Sequence, residues 1–283
     1  MPASSGRDMG QTSCNNHRSD NPTSCKFESL PDLANLPPEL AVQVLSHLDA
    51  TDLCLAACVN ELWSDLANVD QLWKGLCQNR WGDVSSYQTA FSLCRSYKTL
   101  YMILDNGMLT FAANPHEGIA YLVSKGVLTN SPRCVAMFIH NTDALDWHSL
   151  GVFLRDRIDV LEALVSLQDY SGKFLPDALR EFFSHIPAPR ERGQFLETLL
   201  DRFSKRYVET NPQAGLLKDT VYVICYSLIL LSVDLTSPHV KNKMSKREFI
   251  RNLRRATPGL SDDLLGHMYD NIYISGHVAT EYR

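Results

Sequence analysis

The sequence predicts an all-α protein. Apolar residues return at helical spacing over most of the chain from Leu36 to Ile272. β-branched residues alternate over no length, so no sheet is expected. Helix-start signals punctuate the pattern, the clearest being the S-x-x-E capping box of Ser245 and Glu248. With 45% hydrophobic and 21% charged residues, 283 residues suit one large domain or two smaller ones with a real core.

Residues 1–30 are rich in Ser, Asn, Asp and Pro without periodicity and read as a disordered tail. Residues 31–77 read as a small helical unit. Pro37-Pro38 suits a first helical turn, and Leu40, Val44, Leu45 and Leu48 follow at helical spacing. Thr51 is placed to cap a second helix carrying Leu53, Leu55, Ala56 and Val59. Leu62, Trp63, Leu66, Leu72, Trp73 and Leu76 continue the pattern. A unit of about 45 residues is near the lower limit for a free-standing core, so it is expected to lean on a partner or on the next domain. Residues 78–110 read as a connecting segment, with turn signals at Trp81-Gly82, Ser85-Ser86 and Asp105-Asn106-Gly107. Residues 111–283 read as stacked helical hairpins: 118–125, 134–141, 147–154, 159–167, 178–183, 195–206, 220–231, 245–254 and 261–272. Tyr222, Leu230 and Leu231 read as core of the seventh of these by their apolar periodicity.

The net charge of −5 and pI near 6.0 argue against wholesale nucleic-acid binding. No motif for a cofactor, phosphate loop or catalytic metal is present. Cys54 and Cys58 lie four residues apart, near Cys77 and His47, but without a Cys-x₂-Cys pair they read as helix thiols rather than a metal site. Residues 1–30 lack an apolar run of secretory type, and the longest apolar stretch, 221–231, is shorter than a membrane span requires. A cytoplasmic protein is expected. Lys241, Lys243, Lys246, Arg247, Arg251, Arg254 and Arg255 cluster around a single acid, Glu248. This cluster is read as a solvated helix face, with peripheral contact to anionic membrane lipid as the alternative.

One loop stands out. Between helical stretches, Ile186-Pro187-Ala188-Pro189-Arg190-Glu191-Arg192-Gly193 carries two prolines, which remove backbone donors and disfavour the α region just before them. The chain must turn there and present Glu191 on a short loop.

Leu36-Pro37-Pro38-Glu39-Leu40, Leu45-Ser46-His47-Leu48, Asp52-Leu53 and Leu72-Trp73 together resemble the F-box, in order and spacing. The resemblance implies a three-helix module that binds the Skp adaptor, and through it the cullin scaffold, of a ubiquitin ligase. Leu36, Pro37, Leu40, Leu45, Leu48, Leu53, Leu72 and Trp73 would form the adaptor surface.

Residues 111–119, 178–182 and 222–244 resemble the Sec7 domain, over residues 111–273. That family is all-helical and elongated, binds Arf-family small GTPases and drives GDP release with an acidic finger. The resemblance places Glu191 on the finger, as the catalytic residue, and Pro189 and Arg190 beside it. Ser232 and Asp234 fall on the second motif and Met244 beyond its groove. Arg190 stands where the family has Gly, Gly193 where it has Gln, Leu196 where it has an acid, Ser232 where it has Asn, and Thr236-Ser237 where it has His-Asn. A carboxylate about 4 Å from a phosphate charge is repelled by about 4 kcal/mol at an effective dielectric of about 20, and an arginine about 7 Å away returns roughly 2.4 kcal/mol. The expectation is therefore a GTPase-binding domain with weak or no exchange. The two modules together imply a non-catalytic substrate-recognition subunit of a Skp–cullin–F-box ligase, promoting ubiquitination of an Arf-family GTPase, with nucleotide exchange as the alternative.

Overall fold

A computed structural model describes residues 35–82, 95–142, 145–189 and 193–279. The tail expected over 1–30, the turn expected at Ser85-Ser86, and Arg190 and Glu191 lie outside the described residues. Among the described residues the fold is all-helical, as the sequence predicts, with no strand.

Four short helices come first: α1 (Pro38–Leu45), α2 (Ala50–Ala56), α3 (Glu61–Ala67) and α4 (Asp70–Trp81). Pro37 is the N-cap of α1, and Pro38 occupies its first turn. The α2 cap is Asp49, whose carboxylate accepts the Asp52 amide at 2.8 Å, and not the expected Thr51. Asp and Thr both suit the position, but Asp49 has the extended backbone that a cap requires.

The connecting segment is a correction. Tyr97–Ala113 forms a 17-residue helix, α5, capped by Ser96. The expected turn at Asp105-Asn106-Gly107 lies inside it. Gly107 serves packing here: a Cβ on it would collide with the Leu122 side chain of α6 (Pro115–Ser124). Gly118 plays the same part from the other side, where a Cβ would lie 2.5 Å from the Phe111 Cα. Two glycines facing each other's helices let α5 and α6 approach closely.

Helices α7 (Pro132–Asn141), α8 (Trp147–Asp156), α9 (Ile158–Leu167), α10 (Leu175–His185) and α11 (Gln194–Thr210) follow. Then come a 3₁₀ turn, Pro212–Ala214, and α12 (Lys218–Thr236), α13 (Lys246–Ala256) and α14 (Asp262–Ser275). Ser245 and Glu248 form the expected capping box on α13. A buried aromatic cluster joins α9–α11: Tyr170, Phe182, Phe183 and Phe203 are all buried, with Phe182 and Phe203 ring centroids 5.1 Å apart.

The first four helices do lean on the next segment. Trp73 and Trp81 of α4 both meet Tyr101 of α5 edge to face, at 5.4 and 4.9 Å between centroids. Arg80 donates to the Tyr101 hydroxyl at 2.9 Å and pairs with Asp105 at 2.7 Å. Asp70 accepts the Tyr97 amide at 2.8 Å, and Lys98 donates to Asn68 at 2.7 Å. Buried rings and polar ties on one interface make α1–α5 a continuous core.

Candidate functional site

At the α1–α4 end, the eight expected surface residues divide into two groups. Pro37 is exposed and Leu40 is 49% exposed, while Leu36 and Leu48 are half-buried. Leu45, Leu53, Leu72 and Trp73 are buried, so they support the surface instead of forming it. Trp73 donates its indole N–H to the Ala67 carbonyl at 2.8 Å, which fixes the α3–α4 turn. A cavity of about 290 Å³ has Val42, Leu45, Leu48, Leu53, Leu72 and Leu76 in its wall, bringing four of the expected residues together. Val44, Leu55, Val59 and Leu62, read from sequence as pattern-filling apolar residues, are exposed along with Leu40; Leu55 reaches 63%. The signal for this was present: Leu53 and Leu55 lie two residues apart on one helix and cannot share its inner face. Leu40 and Val44 of α1, Val59 in the α2–α3 turn, Leu55 of α2 and Leu62 of α3 thus leave apolar side chains in water at this end.

At the other end, α12 is apolar almost all round. Val221, Ile224, Cys225, Leu228, Leu231 and Ser232 are buried, on the side that packs against α11 and α14. Tyr222, Val223, Tyr226, Leu230 and Val233 form a second, half-buried row. Leu231 is therefore core as expected, whereas Tyr222 and Leu230 lie at the rim. By length and composition α12 would suffice for a membrane span, yet one of its rows is core.

Ser232 is fully buried and donates to the Ile229 carbonyl at 2.9 Å, so its side chain is not on the surface where the sequence put it. Asp234 is a clasp. Its carboxylate accepts the Met244 amide at 2.7 Å, and its carbonyl accepts from the Lys243 ammonium, which also donates to the Ser237 carbonyl. Tyr269 of α14 donates to the Met244 carbonyl at 2.9 Å. The segment between α12 and α13 is thus tied to the end of α12 and to α14, and Asp234 and Met244 are brought together as neighbours. Burial, then the charges of Tyr273, Asp234 and other neighbours, hold the Tyr269 phenol above its ordinary pKa, which keeps it a donor.

The loop between α10 and α11 is anchored at its start. Ile186 and Pro187 are buried, and a Cβ on Gly151 of α8 would touch Pro187 at 3.5 Å. Pro189 is half-buried in the wall of a cavity of about 430 Å³ with Arg155, Ile158, Gln194, Phe195 and Thr198. The Arg155 guanidinium lies 5.3 Å from the Phe195 ring centre. Leu196, standing where an acid was expected, is buried, which accounts for its apolar character.

The helices from α5 to α14 have the fold of solved Sec7 domains. Residues 101–275 match the Sec7 domain family and residues 33–79 the F-box-like family; the chain belongs to the Sec7 domain family, with an F-box-like segment ahead of that domain. It is 57% identical over 256 residues to F-box only protein 8 of mouse and of human, covering 89% of this chain and 79% of each relative. It is also 36% identical over 178 residues to brefeldin A-inhibited guanine nucleotide-exchange protein 1 of cattle, covering 60% of this chain and 10% of that protein. Among solved structures, the Sec7p catalytic domain aligns with TM-score 0.57 at 32% identity, over 61% of this chain and 97% of that one. The Sec7 domain structure with bound ARF1-GDP and brefeldin A aligns with TM-score 0.57 at 26% identity, over 62% of this chain and 91% of that one.

Proposed function

We propose that the chain is a two-ended docking protein of the cytoplasm. The α1–α4 helices bind the Skp adaptor, and through it the cullin scaffold, while the Sec7 domain holds an Arf-family GTPase. In this reading the protein is the substrate-recognition subunit of an E3 ubiquitin ligase that modifies the GTPase. Ubiquitin transfer belongs to other subunits. The carrying observation is the unspent apolar row of α12, Tyr222, Val223, Tyr226, Leu230 and Val233, next to the segment that Asp234 and Met244 hold in place. The likeness to a Sec7 domain seen with bound ARF1-GDP supports it. Pro189, Arg190 and Glu191 would complete the GTPase contact, with Ser232 acting from beneath.

Purified full-length chain mixed with ARF1-GDP is the test. Capture is expected, with Tyr226→Asp or Leu230→Asp weakening it more than about tenfold, in line with burying one large apolar side chain. Leu40→Asp and Leu55→Asp should remove Skp-adaptor binding and leave GTPase capture intact. Absence of capture by the unmodified chain would end the docking reading. The likeness to a guanine nucleotide-exchange protein favours a second reading, in which Glu191 expels GDP. GDP release accelerated by the chain and abolished in Glu191→Lys would decide for it.

A further inference from the structure

The region from Lys241 to Arg255 holds seven of the chain's 27 basic residues and one of its 32 acids, leaving 20 basic against 31 acidic residues elsewhere. On α13, Phe249 and Leu253 point into the core, and Lys246, Arg247, Arg251, Arg254 and Arg255 are exposed. Internal ion pairs account for two of these: Lys246 with Asp270 at 2.5 Å, and Arg254 with Asp262. Arg247, Arg255 and Lys241 form no ion pair among the described residues, and Arg251 has only the charge of Glu248 near it. Glu248 is occupied in the cap of its own helix.

The neighbouring helix adds the second observation. Lys246–Asp270 and Tyr269–Met244 set the last turns of α14 against the first turn of α13. In those last turns Tyr273, stacked on Tyr269 at 6.3 Å, is 71% exposed and Ile274 is 81% exposed. Two large apolar side chains thus stand in water beside a row of exposed cations.

We propose that this face docks on an anionic lipid surface. Arg247, Arg251, Arg255 and Lys241 meet the headgroups, and Tyr273 and Ile274 enter the interface below them. Cations attract the bilayer through its surface potential, and an aromatic and an aliphatic tip are the side chains that gain from partial insertion. The face adjoins the segment clasped by Asp234, so a GTPase held on α12 would be held at a membrane. The lipid contact itself does not depend on that reading.

Sedimentation of the full chain with phosphatidylcholine vesicles, with and without phosphatidylserine, tests it in the absence of any GTPase. Binding is expected only with phosphatidylserine and is expected to fall with added salt. Arg247→Gln/Arg251→Gln/Arg255→Gln should weaken it about a hundredfold. Ile274→Ser should weaken it several-fold at every salt concentration, since insertion is not screened. All four side chains are exposed, and unchanged thermal unfolding would show that the variants fold. Equal binding to neutral vesicles, or retention by the triple variant, would overturn the proposal. So would competition by heparin together with an unaffected Ile274→Ser, which would make the face a general polyanion site.

Discussion

Trp73 and Tyr101 meet edge to face across the boundary between the F-box-like helices and the Sec7 domain, and Tyr101 is shared with Trp81. One buried ring therefore couples both units. Tyr101→Ala should cost about 3–5 kcal/mol and split urea unfolding into two transitions where the unmodified chain shows one. Tyr101→Phe loses only the bond from Arg80 and should cost about 1 kcal/mol with a single transition. A single transition in Tyr101→Ala would mean that the coupling runs elsewhere.

Gly118 and Gly107 rank differently as packing sites. A Cβ on Gly118 meets the Phe111 backbone at 2.5–2.6 Å, which cannot yield without moving α5. On Gly107 it meets the Leu122 side chain, which can shift rotamer. Gly118→Ala should cost about 3 kcal/mol or more and Gly107→Ala about 1–2 kcal/mol, read from urea midpoints. The reverse order would contradict the packing described.

Asp234 holds the segment leading into α13 by one charge-assisted bond. Asp234→Ala should cost about 1–2 kcal/mol and speed hydrogen exchange at the Met244 amide. Asp234→Asn keeps an acceptor and should remain near the unmodified chain in both measurements. If both variants leave the Met244 amide equally protected, the clasp is not what holds it.

Cys77 is buried under α5, and that burial, with the nearby Asp70 charge, pushes its pKa from 9.0 up to about 12. Cys225 and the Tyr170 and Tyr207 phenols are raised in the same direction, burial being the main cause for each. In the unfolded chain these groups ionise from about pH 9–10 upward, while in the folded protein they stay neutral. The unfolded state then binds fewer protons, so stability is intact below pH 9 and falls from there toward pH 12. Melting temperatures between pH 7 and pH 11 check this, and Cys77→Ala should flatten the decline. At pH 8 a thiol reagent should modify the exposed Cys58 and leave Cys77 untouched until the protein unfolds.

Helical periodicity made the fold class and most helices legible, and the Ser245–Glu248 box was readable because its partners are local. What failed depended on distant contacts. Asp105-Asn106-Gly107 looks like a turn until Leu122 is known to lie against Gly107, at which point a glycine inside a helix has a packing reason. Ser232 looks like a surface contact until its burial is seen, because one polar residue in an apolar helix does not declare which way it faces. The loop carrying Glu191 was recognisable by its prolines, but the sequence could not separate side chains that touch a partner from those that hold the touching ones in place. Leu45, Leu53, Leu72 and Trp73 are of the second kind.

The shared ring also limits how this protein can be taken apart. A fragment ending at Trp81 would bare the faces of Trp73 and Trp81 that Tyr101 covers, and one starting at Arg95 would bare Leu100, Tyr101 and Leu104. Each half would carry an adhesive flank into solution. A substitution in α4 is therefore answerable in α5, and neither can be grafted onto a stranger without rebuilding the seam.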